Sequence, residues 1–176
     1  MIFYFIFIAA AALSILAYSV VSFWRTRVPF VATPNDLRKR IAAALSITSE
    51  SVIYDLGSGR GTFLFAAESY HPKTLVGYEL SPVHYWLALA IARLRHSRVK
   101  FVRRDFMQAD ISKATIIYLF LVSPIVQKVW KKIKSECAPG TIVATLSDTI
   151  IGHPSYSTIN LRPHHPRTGK LYLYRV

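Results

Sequence analysis

Cysteine is nearly absent from this 176-residue chain. Cys137 stands alone, which excludes a disulfide framework and a cysteine-based metal cluster, and no metal site is expected. Acidic residues are also scarce: nine Asp and Glu face 22 Lys and Arg, for a formal charge of +13. That imbalance favours an anionic neighbour, whether lipid headgroups, nucleic acid or an acidic protein. No internal repeat or low-complexity segment interrupts the chain, and its length suits one domain with a real core rather than two. Glycine is sparse too, with seven residues in all. Three of them, Gly57, Gly59 and Gly61, fall at alternating positions.

Charge is missing altogether from Ile2 to Trp24. At about 1.5 Å per residue such a run is long enough to cross a hydrocarbon core of about 30 Å. Tyr4 and Trp24 lie near its ends, where interfacial aromatics belong. A cleaved signal peptide expects a basic residue in front and a shorter apolar core; here Arg25 and Arg27 follow instead. The run is read as a single-pass transmembrane helix, with residues 1–27 as anchor and basic flank. The positive-inside rule then puts residues 28–176 on the cytoplasmic side, or the matrix side in an organelle. Arg38, Lys39 and Arg40 join Arg25 and Arg27 in a basic cluster, either a solvated helix face or a contact for anionic lipid.

The remainder alternates between strand and helix patterns. Thr33 reads as an N-cap, with Pro34 at the first helical position and Asp36 near the helix dipole's positive end. Leu37, Ile41 and Leu45 give that helix one apolar stripe. Val52, Ile53 and Tyr54 form a buried strand, followed by the glycine loop and a helix from about Arg60 to Tyr70, stopped at His71-Pro72. Further strands are expected at Thr74–Leu80, Val99–Val102, Ala114–Val122 and Thr141–Ser147. Helices begin at Ser81-Pro82 and after Ser123-Pro124. Tyr156–Leu161 and Lys170–Arg175 alternate as a closing antiparallel hairpin, with Thr168-Gly169 near its turn. The result is an α/β fold with a mostly parallel, doubly covered sheet and right-handed crossovers.

In such a sheet ligands bind beyond the carboxyl ends of the strands. The glycine loop lacks the third glycine of a dinucleotide fingerprint, because Thr62 occupies that place. It also lacks the Gly-Lys-Ser/Thr ending of a P-loop. Strand two ends in Glu79, about twenty residues beyond the loop, where a carboxylate suits the two hydroxyls of a ribose. A basic residue would be needed there to meet the 2′-phosphate of NADP. Strand three ends in Asp105-Phe106, an acceptor beside an aromatic face, as an adenine amino group and ring would want. Each acid alone reads as a solvated loop residue; three at successive strand ends beside a glycine loop point to one ligand.

The string Asp55-Leu56-Gly57-Ser58-Gly59-Arg60-Gly61 resembles motif I of the class I, Rossmann-like S-adenosylmethionine (SAM) methyltransferases. The resemblance implies that the loop wraps the methionine part of SAM, that Glu79 and Leu80 lie at the ribose, and that Asp105 and Phe106 lie at the adenine. It also implies an antiparallel strand inserted near the sheet edge. Nearly the whole chain is similar to a narrower family, the membrane-anchored lysine methyltransferases of the ATP synthase c-subunit and the adenine nucleotide translocase. The likeness is carried by Pro29-Phe30-Val31-Ala32-Thr33-Pro34, by Gly77-Tyr78-Glu79-Leu80 with Pro82, and by Leu121-Val122-Ser123-Pro124. Ala32, where that family more often has proline, and Arg60, where an acid is common, depart from it.

By this resemblance Phe30 and Thr33 close over the cofactor, while Ser123 and Pro124 face the methyl acceptor; Ser123 reads equally as a helix cap. The general base is not readable. The activity implied is N-methylation of lysine on a membrane protein at the membrane surface. A lipid or small-molecule acceptor and RNA are the alternatives. The Asn-Pro-Pro-Tyr signature of adenine and glutamine N-methyltransferases is absent, and a bilayer anchor is an odd address for a nucleic-acid partner.

Overall fold

The computed structural model describes residues 3–8, 10, 13, 14, 33–163 and 169–176. The chain divides into two units, Met1–Phe30 and Val31–Val176. Described residues of the first unit are helical. Among the described residues no helix is long and apolar enough to cross a membrane. Most of the expected span at residues 2–24 lies outside them, as do Arg25, Arg27 and Phe30.

The second unit begins with helix α1 (Asn35–Ala44), which buries Leu37, Ile41 and, just past its end, Leu45. Pro34, not Thr33, holds the cap position, and its carbonyl accepts from Leu37 N and Arg38 N. The helix therefore starts one residue later than the cap-plus-proline pattern predicts. Arg40 donates to the Leu161 carbonyl, so this member of the basic cluster serves the domain's own packing.

Then follow β1 (Val52–Leu56), α2 (Thr62–Ala67) with a 3-10 turn at Glu68–Tyr70, β2 (Thr74–Tyr78), α3 (Pro82–Leu94) and β3 (Lys100–Val102). A second 3-10 turn (Phe106–Gln108) leads to β4 (Ile116–Leu119), α4 (Ser123–Glu136), β5 (Ile142–Leu146), β6 (Ser157–Asn160) and β7 (Lys170–Arg175). Most strands are shorter than their apolar runs, because the runs extend into the loops at the carboxyl ends. Thr168, in the expected hairpin turn, lies outside the described residues.

The seven strands form one sheet in the order β3-β2-β1-β4-β5-β7-β6. The first five are parallel; β7 is antiparallel to both β5 and β6. The C-terminal hairpin thus inserts its second strand between β5 and its own first strand. One face carries Ile53, Leu75, Ile116, Tyr118, Ala144 and Leu173, packed with Leu37 and Ile41 of α1, Phe63 and Leu64 of α2, and Ala88 and Ala92 of α3. The opposite face meets α4, where Trp130 lies against Tyr174 with ring centroids 5.9 Å apart. Core burial on both faces holds the strand ends in register, and those ends carry the site.

Candidate active site

The sheet reverses direction of growth between β1 and β4, so the carboxyl ends of β1, β2 and β3 open beside the loop that leaves β4. From Leu56 the chain turns through Gly57, Gly59 and Gly61 at φ of 95°, 54° and 76°, a left-handed region that glycine enters without a Cβ clash. The turn is anchored on β2: Gly57 N and Ser58 N both donate to the Tyr78 carbonyl, at 2.9 and 3.0 Å.

Glu79 ties the loop to the next element. Its Oε2 accepts from Gly59 N at 2.8 Å, and its Oε1 accepts from Ser81 N at 2.7 Å. Each carboxylate oxygen can accept more than one hydrogen bond, so both retain capacity for a ligand's hydroxyls. Ser81 also caps α3 by accepting from His84 N, with Pro82 at the helix start. His84 lies near Glu79 and Arg60, and burial lowers its pKa below the ordinary imidazole value.

Asp55 sits deeper, only 3% exposed, between Gly77 on β2 and Tyr118 on β4 at one register level. Burial, with Glu79 nearby, pushes its carboxyl well above the usual carboxylate range. Tyr118 is buried as well, which holds its phenol protonated, and its hydroxyl shares a hydrogen bond of 3.1 Å with Thr33 Oγ1. Thr33 thereby joins the site through Tyr118. The same hydrogen bond occupies the side chain that a helix cap would have used.

Gly77 has no ordinary place in a strand interior, but a side chain there would collide with its neighbours. An added Cβ would lie 2.6 Å from Ser58 Oγ and 2.8 Å from Leu64 Cδ1. The missing side chain lets the loop and α2 settle directly on β2. Ser58 Oγ is buried and has no hydrogen-bond partner among the described residues, a polar atom whose cost a bound ligand would offset.

At the end of β3, Asp105 Oδ1 accepts from Met107 N at 2.9 Å and caps the turn that holds half-buried Phe106. Leu80 is exposed, 48%, on the β2 side of the opening. At the end of β4, Leu121 reaches the loop: its Cδ2 is 3.1 Å from where a Gly57 Cβ would stand. Val122 holds the cap position of α4, and Ser123 is the first helical residue with no side-chain cap bond. Ser123 is thus not a helix cap; it stands half-buried at the helix start with Pro124 exposed beside it.

The structure brings together the glycine loop, Asp55, Glu79 and Thr33, and places Asp105-Phe106 and Leu121–Pro124 at neighbouring strand ends. Ser81, Gly77 and Tyr118 belong to the same assembly; the sequence marked Ser81 only as a helix start and Gly77 only as part of the family likeness, and it did not mark Tyr118. Gly77 carried a signal, since a strand glycine marks close approach. Tyr118 carried none beyond its register. Two acids, one deeply buried, a buried unpaired hydroxyl and a backbone cradle suit a ligand with a cationic centre and vicinal hydroxyls, both of which SAM has. A second cleft, lined by Glu68, Lys73, Thr74, Arg98 and Lys100 among others, lies at the amino ends of β2 and β3, the wrong end of the sheet for this ligand.

Comparison with known proteins gives the same answer. The ANTKMT methyltransferase domain model matches residues 55–151, from the acid of the glycine motif to the loop after β5. A protein-lysine N-methyltransferase from Saccharolobus islandicus (strain REY15A) is 31% identical over 152 residues, 85% of this chain and 94% of its own. The structure of an RNA methyltransferase from Salinibacter ruber, solved with S-adenosyl-L-homocysteine, is similar at a TM-score of 0.76. It shares 27% identity and covers 83% of this chain and 94% of its own. The tRNA (m1A58) methyltransferase TrmI from Aquifex aeolicus shares the fold, at TM-score 0.67 and 18% identity, over 82% of this chain and 69% of its own. The chain therefore belongs to the ANTKMT methyltransferase domain family and is a SAM-dependent methyltransferase of class I fold.

Proposed function

We propose that this methyltransferase modifies lysine side chains of a membrane protein at the bilayer surface. The observation that carries the lysine assignment is the 31% identical protein-lysine N-methyltransferase, matched over 94% of its length. The membrane assignment rests on the uncharged run at residues 2–24 and on the basic residues that follow it.

In this reading Glu79 holds the ribose hydroxyls while its backbone bonds keep loop and α3 in place. Asp55, Leu56 and the loop from Gly57 to Gly61 receive the amino-acid end, with Thr33 at its margin. Asp105 and Phe106 flank the adenine, beside Leu80. When bound, SAM supplies a methyl group on a positively charged sulfur. The acceptor enters along Leu121–Pro124, where Ser123 and Pro124 line its path. Methyl transfer is an in-line displacement, so holding the acceptor amine close and in line supplies much of the acceleration. A lysine amine, with a free pKa of about 10.4, must first lose its proton. Burial, with the positive charge of bound SAM nearby, would favour the neutral amine.

The test is to incubate the detergent-solubilised chain with methyl-labelled SAM and membranes of its own host, then locate the label. Label on lysine of a membrane protein is expected. The second reading, RNA methylation, is favoured by the formal charge of +13 and by the Salinibacter relative's substrate class. Label confined to RNA, or to lipid, would replace the lysine assignment.

A further inference from the structure

We infer that the outward face of α3 is a membrane-docking surface that lies flat in an anionic lipid interface. The exposed residues of α3 are Val83, Trp86, Leu87, Ala90, Arg93 and Leu94. All but Arg93 are apolar, and they recur at the three- and four-residue spacing of one helix face. Trp86 is 63% and Leu94 83% exposed. The inward face packs small residues instead, Ala88 and Ala92, against the sheet. A helix that is apolar on every side is one whose second face has a partner.

The surroundings identify that partner by charge. From Leu80 to Arg104 the chain has six Arg and Lys and no Asp or Glu. Arg93, Arg95, Arg98, Lys100, Arg103 and Arg104 are all exposed, and β3, on which α3 packs, is the edge strand of the sheet. The acids flanking this stretch are engaged: Glu79 accepts from Gly59 N and Ser81 N, Glu68 from Ser97 Oγ and Arg98 N, and Asp105 from Met107 N. Apolar side chains rimmed by arginines match a bilayer surface, where the former enter the acyl boundary and the latter meet anionic headgroups. RNA would leave Val83, Leu87 and Leu94 without a partner. Thirteen residues rise only about 20 Å, so α3 lies on a membrane and does not span it.

The inference rests on the membrane reading above and deepens it. Because α3 starts three residues after Glu79, docking this face would hold the mouth of the site at headgroup level, within reach of a substrate lysine at the surface.

The test uses the full chain with Cys137→Ser and one nitroxide label, at Leu87→Cys on α3 or at Lys131→Cys on the exposed side of α4. Both are reconstituted into phosphatidylcholine vesicles with and without phosphatidylserine. Retained SAM binding serves as the folding check. The expected result is a label at position 87 that collides with oxygen and is shielded several-fold from an aqueous nickel reagent, more so with phosphatidylserine. The label at 131 stays aqueous. Adding Trp86→Glu and Leu94→Glu returns the label at 87 to water while the chain still floats with the vesicles. If the chain floats with vesicles but position 87 is as aqueous as 131, α3 docking is wrong and the membrane reading survives. Failure to float with vesicles at all overturns both. Shielding at 87 that grows with protein concentration without lipid assigns the face to a second copy and overturns the lipid assignment.

Discussion

Asp55 is kept at a cost to stability. Burial raises its carboxyl pKa above the unfolded value of about 3.9, so between those two values the folded chain binds more protons than the unfolded one. Stability from this group is therefore present at low pH and lost as pH rises through the folded pKa. Asp55→Asn removes that cost. Without SAM the variant is expected to melt above the wild type at pH 8, and the gap should close as pH falls into the ordinary carboxylate range. The same change should weaken SAM at least about tenfold, the size of one hydrogen bond to a charged group. Calorimetry at several pH values checks both; an unchanged melting point at pH 8 would contradict the burial argument. Asp55 and Glu79 were legible because motif spacing marks strand ends. Tyr118 was not, because its role depends on which strand lies beside β1, and Thr33 and Ser58 were named only through the family likeness. Thr33 in particular looked like a helix cap until Tyr118 supplied its partner.

The elements around the site are spaced by what two glycines lack. Gly61 turns at φ 76°, and an added Cβ would stand 2.4 Å from Phe101 Cζ, so the loop can pack on β3 only without a side chain. Gly77→Ala keeps an ordinary strand backbone but drives a methyl into Ser58 and Leu64. The expected loss is about 1–3 kcal/mol of stability together with weaker SAM binding. Ser58→Gly in the same chain should recover part of the stability. Denaturant unfolding of the single and double variants measures this, and strict additivity would mean the two positions do not meet. Helix α3 shows why periodicity reached its limit. Apolar residues on all sides define no inward face, and packing against the sheet selected the alanines while Trp86 turned outward. Element order was legible from alternating strand and helix patterns. Element ends were not, since the apolar runs continue past the last sheet hydrogen bond into the site.

At the scale of the molecule, the order β3-β2-β1-β4-β5-β7-β6 gathers residues from Thr33 to Pro124 at one end of one sheet. Periodicity alone cannot order strands; the family likeness supplied the antiparallel insertion, and the pairing of β7 with β5 bears it out. Few acids in a cationic chain made those at the strand ends conspicuous. Glu79 remains the point where fold and proposed chemistry meet, because one carboxylate holds the loop, the start of α3 and, as proposed, the ribose. Glu79→Ala should cost about 1–3 kcal/mol through two lost backbone partners and should abolish cofactor binding. The direct measurement is titration calorimetry of SAM into the purified full chain and into Glu79→Ala, with circular dichroism on both. One SAM bound per wild-type chain and none detected for a folded variant is the predicted result; equal affinity in a folded variant would contradict the site assigned here.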